Sequence, residues 1–296
     1  MDIGAAYLNT PVEEELFVKL PAKFSPFSRD IPFVYHLRNN LYGLKRSGRN
    51  YKNTLDDILV GIGLQRSTTD RWLYFSRNDG EETDILVAIY VNDLVIAGRR
   101  EKVDEFKLDI RRRFRMKDVG SLSPVMGIKV RRDRPNGTIN ISQGSDIREV
   151  LKRYSFDECR GEPTPVEGKV KISASESADK PSEPNGRSGN STESRDMVGS
   201  LMYASTGTRP EIAYAVHQTA SRMEDPCRED FSTCKRIFLY LSTVPDLGNT
   251  FGGKSNGHGL EGSVDADWGE YVEDRKSTTG YVSKLNGGTI SWCSRK

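Results

Sequence analysis

Two apolar runs, ILVAIYV (85–91) and LVIAG (94–98), flank the dipeptide Asn92–Asp93. Two β-rich runs joined by two turn-forming polar residues predict a tight hairpin with buried strands and a projecting tip. An acid held at the tip of a buried hairpin is unfavourable unless the charge is used. Carboxylates presented from strands are suited to hard divalent cations, whereas an inert turn is the plain alternative. Asp2 taken alone reads as a surface acid near a terminus. Asp265 and Asp267 lie two apart in GLEGSVDADW, on one face of a predicted strand. From Arg99 to Lys117, nine Lys/Arg stand against four Asp/Glu, including Arg111, Arg112, Arg113, Arg115 and Lys117. By itself that run reads as a solvated helix face; it becomes a phosphate-contacting patch only in a nucleic-acid context.

The remaining candidates for chemistry are few. Cys159, Cys227, Cys234 and Cys293 are far apart, and His36, His217 and His258 have no partner at ligand spacing. A zinc site is therefore not expected, and reduced thiols in an intracellular setting are. MDIGAAYLNTPVEEEL lacks the basic-then-apolar pattern of a signal peptide, and no apolar run reaches membrane-spanning length. A net charge of +2 selects no class of partner.

The elements that must position these residues are readable in outline. LFVKLP (16–21), RWLYFSR (71–77), PVMGIKVRRD (124–133) and TINISQ (138–143) are predicted strands, and 33–45 is a strand followed by a turn at Gly43. Tyr51, Leu55, Ile58, Leu59 and Ile62 fall at helical spacing within 47–64. Helices are expected over 101–115, 145–156, 197–223 with a break at Thr208, and 228–244. Thr208-Arg-Pro-Glu211 matches a capping box with Pro210 in the first turn. Residues 167–196 are almost free of large apolar side chains and read as a linker or long loop. Three strands are expected in the last 45 residues.

Six segments resemble copia-type retrotransposon Pol polyproteins, in that family's order. MDIGAAYLNTPVEEELFVKLP resembles its first catalytic motif, LYGLKRSGRNY (41–51) its LYGLKQAPRAW segment, and YVNDLVIAG (90–98) its YVDDMLIAG. FRMKDVGSLSPVMGIKV (114–130), GSLMYASTGTRPEIAYAV (199–216) and VDADWGEYVEDRKSTTGYV (264–282) resemble its later segments. The resemblance implies an α+β fold: a palm-like antiparallel sheet with packed helices, a helical thumb, and a partial RNase H-like three-stranded sheet. It implies a palm and start of thumb over 1–165, a linker over 166–196, a helical thumb or connection over 197–250 and an RNase H-like piece over 251–296.

The implied activity is RNA-directed DNA synthesis on an RNA or DNA template-primer from deoxynucleoside triphosphates, within a longer Pol polyprotein. Such phosphoryl transfer uses two Mg²⁺ ions about 3.5–4 Å apart. By resemblance Asp2 and Asp93 are metal ligands, and Asn92 stands where the family has a third carboxylate. Tyr7 is implied beneath the nucleotide sugar, Lys45 and Arg49 along nucleotide and template, and Met126–Gly127 in the turn that grips the primer. Arg46 and Gly48 replace the family's usual Gln and Pro. Asp265 takes the place of an RNase H metal ligand. The resemblance also implies a fingers segment before Asp2 and further RNase H segments after Lys296. A chain with neither, and with Asn92, is expected to be impaired, or to persist only as a nucleic-acid-binding remnant. A cytoplasmic particle and the nucleus are both compatible with it.

Overall fold

The computed structural model describes residues 1–21, 34–77, 82–122, 124–167, 191–223, 228–253, 259–269 and 275–296, with backbone alone for 191–194 and 228–230. They sort into two compact units, Met1–Leu122 and Ser123–Lys296.

The first unit contains β1 (Asp2–Ile3), β2 (Phe17–Val18), β3 (Tyr35–His36), α1 (Ser47–Gly61), β4 (Gln65–Arg66), β5 (Leu73–Arg77), β6 (Thr83–Tyr90), β7 (Asp93–Gly98), α2 (Arg100–Arg113) and β8 (Met116–Lys117). Six strands form one sheet in the order β4-β5-β6-β7-β1-β8, every pair antiparallel. β2 and β3 make a separate two-stranded ladder.

Alternation along β6 sets the two faces of the sheet. Ile85, Val87 and Ile89 are buried, while Leu86 and Tyr90 point to the open side. The buried set meets Tyr51, Leu55 and Leu59 of α1 and Phe106 and Ile110 of α2, with Ile3 of β1 fully enclosed. Each such side chain contributes about 1.5–3 kcal/mol on leaving water. Both helices therefore cover one face, and the other is left for chemistry. Gly98 closes the hairpin because an added Cβ would lie 2.4 Å from the Asp84 carbonyl oxygen.

In the second unit are β9 (Lys129–Asp133), β10 (Thr138–Ser142), α3 (Gly144–Arg153), α4 (Ser191–Gly207), α5 (Ala213–Ala220), α6 (Arg228–Thr243), β11 (Asn249–Gly252), β12 (Leu260–Ala266), β13 (Thr279–Leu285) and β14 (Gly288–Arg295). Two three-stranded antiparallel sheets, β11-β10-β9 and β12-β13-β14, accompany the helices. Ile147 and Leu151 of α3, Leu201 and Ala204 of α4, and Ile237, Phe238 and Leu241 of α6 share one core. The two sheets meet where Gly288 faces the Phe251 ring at a distance no Cβ could tolerate.

The α+β class holds, with mixed helix and antiparallel sheet throughout. Several local expectations shift. The hairpin turn is Val91–Asn92 rather than Asn92–Asp93, because Tyr90 pairs with Asp93; Val91 supplies the positive φ, 54°. The strand expected over 124–133 starts only at Lys129, after a tight turn. α4 begins at Ser191, inside the stretch read as linker, and 168–190 lie outside the described residues. α3, within the stretch expected to hold the palm and the start of the thumb, packs with α4 and α6 because its apolar stripe matches theirs.

Thr208 does not make the expected capping box. Its hydroxyl donates to Gln143 Oε1 at 2.9 Å, and Glu211 instead accepts from Nε of the fully buried Arg209. Arg209 Nη1 also donates to the Val244 carbonyl just beyond α6, satisfying a helix-end acceptor.

Candidate active site

β1 is two residues long, yet it runs between β7 and β8 and aligns three side chains. Asp2 is the cross-strand partner of Asp93 on one side and of Lys117 on the other. Directly opposed residues in antiparallel strands share a face. Tyr90 is paired with Asp93, so Tyr90, Asp93, Asp2 and Lys117 form a row on the face away from α1 and α2. Ile3 and Leu94, the next residues along, turn into the core. The backbone locks this register: Ile3 N–H donates to Asn92 O at 2.8 Å and Gly4 N–H to Arg115 O at 2.9 Å.

Asn92 joins the group directly. Its Nδ2 donates to Asp2 Oδ1 at 2.6 Å. The amide thus does what a carboxylate at this position could not: it satisfies Asp2 rather than repelling it. Two carboxylates and one amide oxygen are hard donors suited to a divalent ion, but their charge of −2 matches one dication, not two. Among the described residues no three His, Cys, Asp or Glu side chains gather into a metal-holding group.

Behind the row lies a tyrosine cluster. Tyr7 sits in the 3₁₀ turn Ala6–Asn9 that follows β1, with Ala5 at φ 52° bending the chain into it. Its ring is 4.6 Å from Tyr42 and meets Tyr51 edge-on at 5.7 Å. A buried polar knot fixes this arrangement. Asn40 Nδ2 donates to Thr10 Oγ1 at 3.0 Å and to Pro11 O at 2.7 Å, and Ser47 Oγ donates to Leu41 O at 2.7 Å. The segment carrying Tyr42 is thereby pinned against the turn carrying Tyr7. Gly48 lies beneath the Tyr7 hydroxyl, where an added Cβ would stand 3.6 Å away. Tyr51 is 1% exposed with its hydroxyl unpartnered among the described residues, and burial drives that hydroxyl's pKa upward. Lys45 and Arg49 flank the start of α1 and are exposed; Arg46 pairs with Glu14.

The basic run is less free than its composition suggests. Arg99 pairs with Glu82, Arg100 with Asp104, Lys102 with Glu105 and Arg112 with Asp109. Lys107 and Arg111 share Asp118, each at 3.1 Å. The Gly120 N–H and these two cations hold the Asp118 carboxyl below the usual carboxylate range. Among the described residues, Arg113, Arg115 and Lys117 remain exposed without an ion pair.

Met126 and Gly127 belong to the second unit. Val125 and Ile128 exchange both backbone hydrogen bonds, at 3.0 and 2.9 Å, around a turn with φ 51° and 75°. Tyr203 of α4 donates its hydroxyl to Met126 O, and Gly127 leaves room for it. Asp265 is exposed on β12, its Oδ1 accepting from the next backbone N–H. Its neighbour Asp267 accepts from Thr278 N at 2.8 Å, a contact that ties two chain segments together.

With this geometry in hand, known proteins separate the possibilities. Residues 1–168 match the family model described as reverse transcriptase (RNA-dependent DNA polymerase). The chain belongs to the copia-type reverse transcriptase family. It is 32% identical, over its whole length, to the Retrovirus-related Pol polyprotein from transposon TNT 1-94 of Nicotiana tabacum, of which it covers 22%. It is also 32% identical to the counterpart from transposon RE1 of Arabidopsis thaliana, covering 19%. A putative transposon Ty5-1 protein of Saccharomyces cerevisiae is 27% identical over the whole chain and is itself 92% covered. The chain thus spans about a fifth of the two plant polyproteins. Sequence reasoning had singled out Asp2, Asp93 and Tyr7. Asn40, Tyr42 and Tyr203 carry no sequence signal, because their partners Thr10, Tyr7 and Met126 lie far away in sequence.

Proposed function

We propose that this chain is the palm and thumb region of an RNA-directed DNA polymerase, acting within a longer Pol polyprotein and weakened at its metal site. The observation that carries this reading is the cross-strand pair Asp2–Asp93 on the open face of the sheet, with Asn92 bonded to Asp2. The first unit serves as palm and the helices of the second as thumb, with β12–β14 an RNase H-like sheet. Bound divalent ions, Mg²⁺ by family, would supply activation of the primer 3′-hydroxyl and neutralisation of the triphosphate. Asp2 and Asp93 would hold one ion, and Asn92 stands where a second would need a carboxylate. Tyr7, backed by Tyr42 and Tyr51, bears against the sugar and excludes a 2′-hydroxyl. Lys45 and Arg49 meet the nucleotide and template, Arg113, Arg115 and Lys117 meet nucleic-acid phosphates, and Met126–Gly127 hold the primer end.

Calorimetric Mg²⁺ and Mn²⁺ titration beside primer extension tests the proposal on the parent, Asn92→Asp and Asp2→Ala. The expected order of metal affinity is Asn92→Asp above the parent above Asp2→Ala, with extension by the parent near background. Robust extension by the parent, abolished by Asp2→Ala, would show that Asn92 is tolerated. Metal affinity unchanged by both substitutions would remove the site. A nucleic-acid-binding remnant is the second reading, favoured by the Asn92 bond to Asp2; it predicts duplex binding with no extension even in Asn92→Asp. Asp265, whose neighbour Asp267 is tied to Thr278, is expected to support no cleavage of an RNA–DNA hybrid.

A further inference from the structure

The strand that follows the Met126–Gly127 turn carries more unpaired positive charge than the helix whose sequence is most conspicuously basic. β9 and its turn contain Lys129, Arg131, Arg132 and Arg134 against the single acid Asp133. All four cations are exposed, and among the described residues none forms an ion pair. Asp133 is itself occupied, accepting from Asn136 N and Nδ2. In α2, by contrast, most cations are neutralised within one or two turns or by Asp118.

β9 is also an edge. Among the described residues it pairs with β10 on one side only, which leaves its other backbone edge open among them. Lys129 and Arg131 share one face with Asn140 and Thr250, which are bonded to each other at 2.9 Å. Alternate residues on a strand stand about 6.6 Å apart, comparable to the spacing of successive phosphates along an extended nucleic-acid strand. Among the described residues two acids lie by this face: Asp246 is already claimed by Arg148, and Asp133, which alternates onto the face of Arg131, accepts from Asn136. Charge on an edge strand can also serve simply to prevent edge-to-edge pairing, so the test must separate the two roles.

We infer that the open edge of β9, led by Lys129 and Arg131, is a phosphodiester-binding track that continues from the Met126–Gly127 turn along the bound strand. The inference rests on the polymerase reading and adds to it the surface that holds nucleic acid. Cations at this edge release condensed counterions when they meet phosphates, so their contribution appears in the salt dependence of binding.

The experiment uses the full chain and a fluorescein-labelled DNA primer annealed to an RNA template, with anisotropy read from 50 to 200 mM salt. Lys129→Ser/Arg131→Ser is expected to lower the slope of log K against log salt by roughly 1.4–1.8, from about 0.7–0.9 per phosphate contact. Arg111→Gln/Arg112→Gln is the control and is expected to leave the slope unchanged. An unchanged slope in the β9 variant, while the parent binds, overturns the inference and leaves the polymerase reading standing. Self-association of that variant at unchanged slope overturns it too, assigning β9 to edge protection alone. Parent binding to phosphatidylserine vesicles but not to the duplex would also overturn it. In that last case, metal binding at Asp2 and Asp93 decides separately whether the polymerase reading survives.

Discussion

Arg209 offers the sharpest test of how the second unit is held together. Its side chain is completely enclosed; Nε donates to Glu211, Nη1 donates to Val244 O at 3.0 Å, and Nη2 has no partner among the described residues. The guanidinium also lies over the Tyr240 ring, 5.8 Å from its centroid. Glu211, with 30% side-chain exposure, keeps access to water. The two ends of the pair are therefore unequal. Removing one partner of a buried ion pair costs about 3–5 kcal/mol when the remaining charge cannot be solvated. Glu211→Ala strands a buried cation and belongs at the upper end of that range. Arg209→Met leaves a carboxylate that water can reach, plus one orphaned carbonyl, and belongs near about 3 kcal/mol. For a unit of this size the milder change lowers Tm by roughly 6–12 °C. Urea unfolding followed through Trp292, whose Nε1 donates to Ser205 O at 2.9 Å within the same unit, reads the difference in a Trp72→Phe/Trp268→Phe background. Equal losses, the reverse order, or both below about 1 kcal/mol would refute the reasoning.

Two further predictions concern the first unit. Asp118 has its folded-state pKa depressed, chiefly by the Gly120 N–H and then by Lys107 and Arg111. Its contribution is therefore present above the unfolded carboxylate pKa and lost as pH falls through the lower folded value. Thermal melting from pH 6 to pH 2 should show the parent losing stability below about pH 4, and Asp118→Asn should lose less over that window; identical profiles would contradict the assignment. Tyr51→Phe removes a buried hydroxyl that has no partner among the described residues, so stability should stay level or rise by about 1 kcal/mol. A loss above about 1 kcal/mol on thermal melting would mean that the hydroxyl is bonded in solution.

Much of the scaffold was legible because its periodicities are local. The stripe Tyr51, Leu55, Leu59 gave α1, and the runs around residue 92 gave the β6–β7 hairpin, displaced by one residue at its turn. What escaped is non-local. β1 and β8 are two residues each, too short for any period, yet β1 is the strand that sets Asp2 beside Asp93. β11 exists only because β10 offers it an edge. Thr208 matched a local capping pattern, but Gln143, 65 residues away, competed for its hydroxyl. The neutralisation of α2 was partly readable, since Arg100–Asp104, Lys102–Glu105 and Asp109–Arg112 have helical pairing spacing. The Asp118 contribution was not, because it comes from a turn beyond the helix.

In the proposed function a divalent ion settles between Asp2 and Asp93 on the open face of the first unit. Paramagnetic Mn²⁺ added to isotopically labelled full-length chain tests it directly, through line broadening of assigned backbone amides. The amides of Asp2, Ile3, Asn92 and Asp93 are expected to broaden first, with excess Mg²⁺ reversing the effect and Asp2→Asn abolishing it. Broadening that begins elsewhere, or that persists unchanged in Asp2→Asn, would contradict that placement.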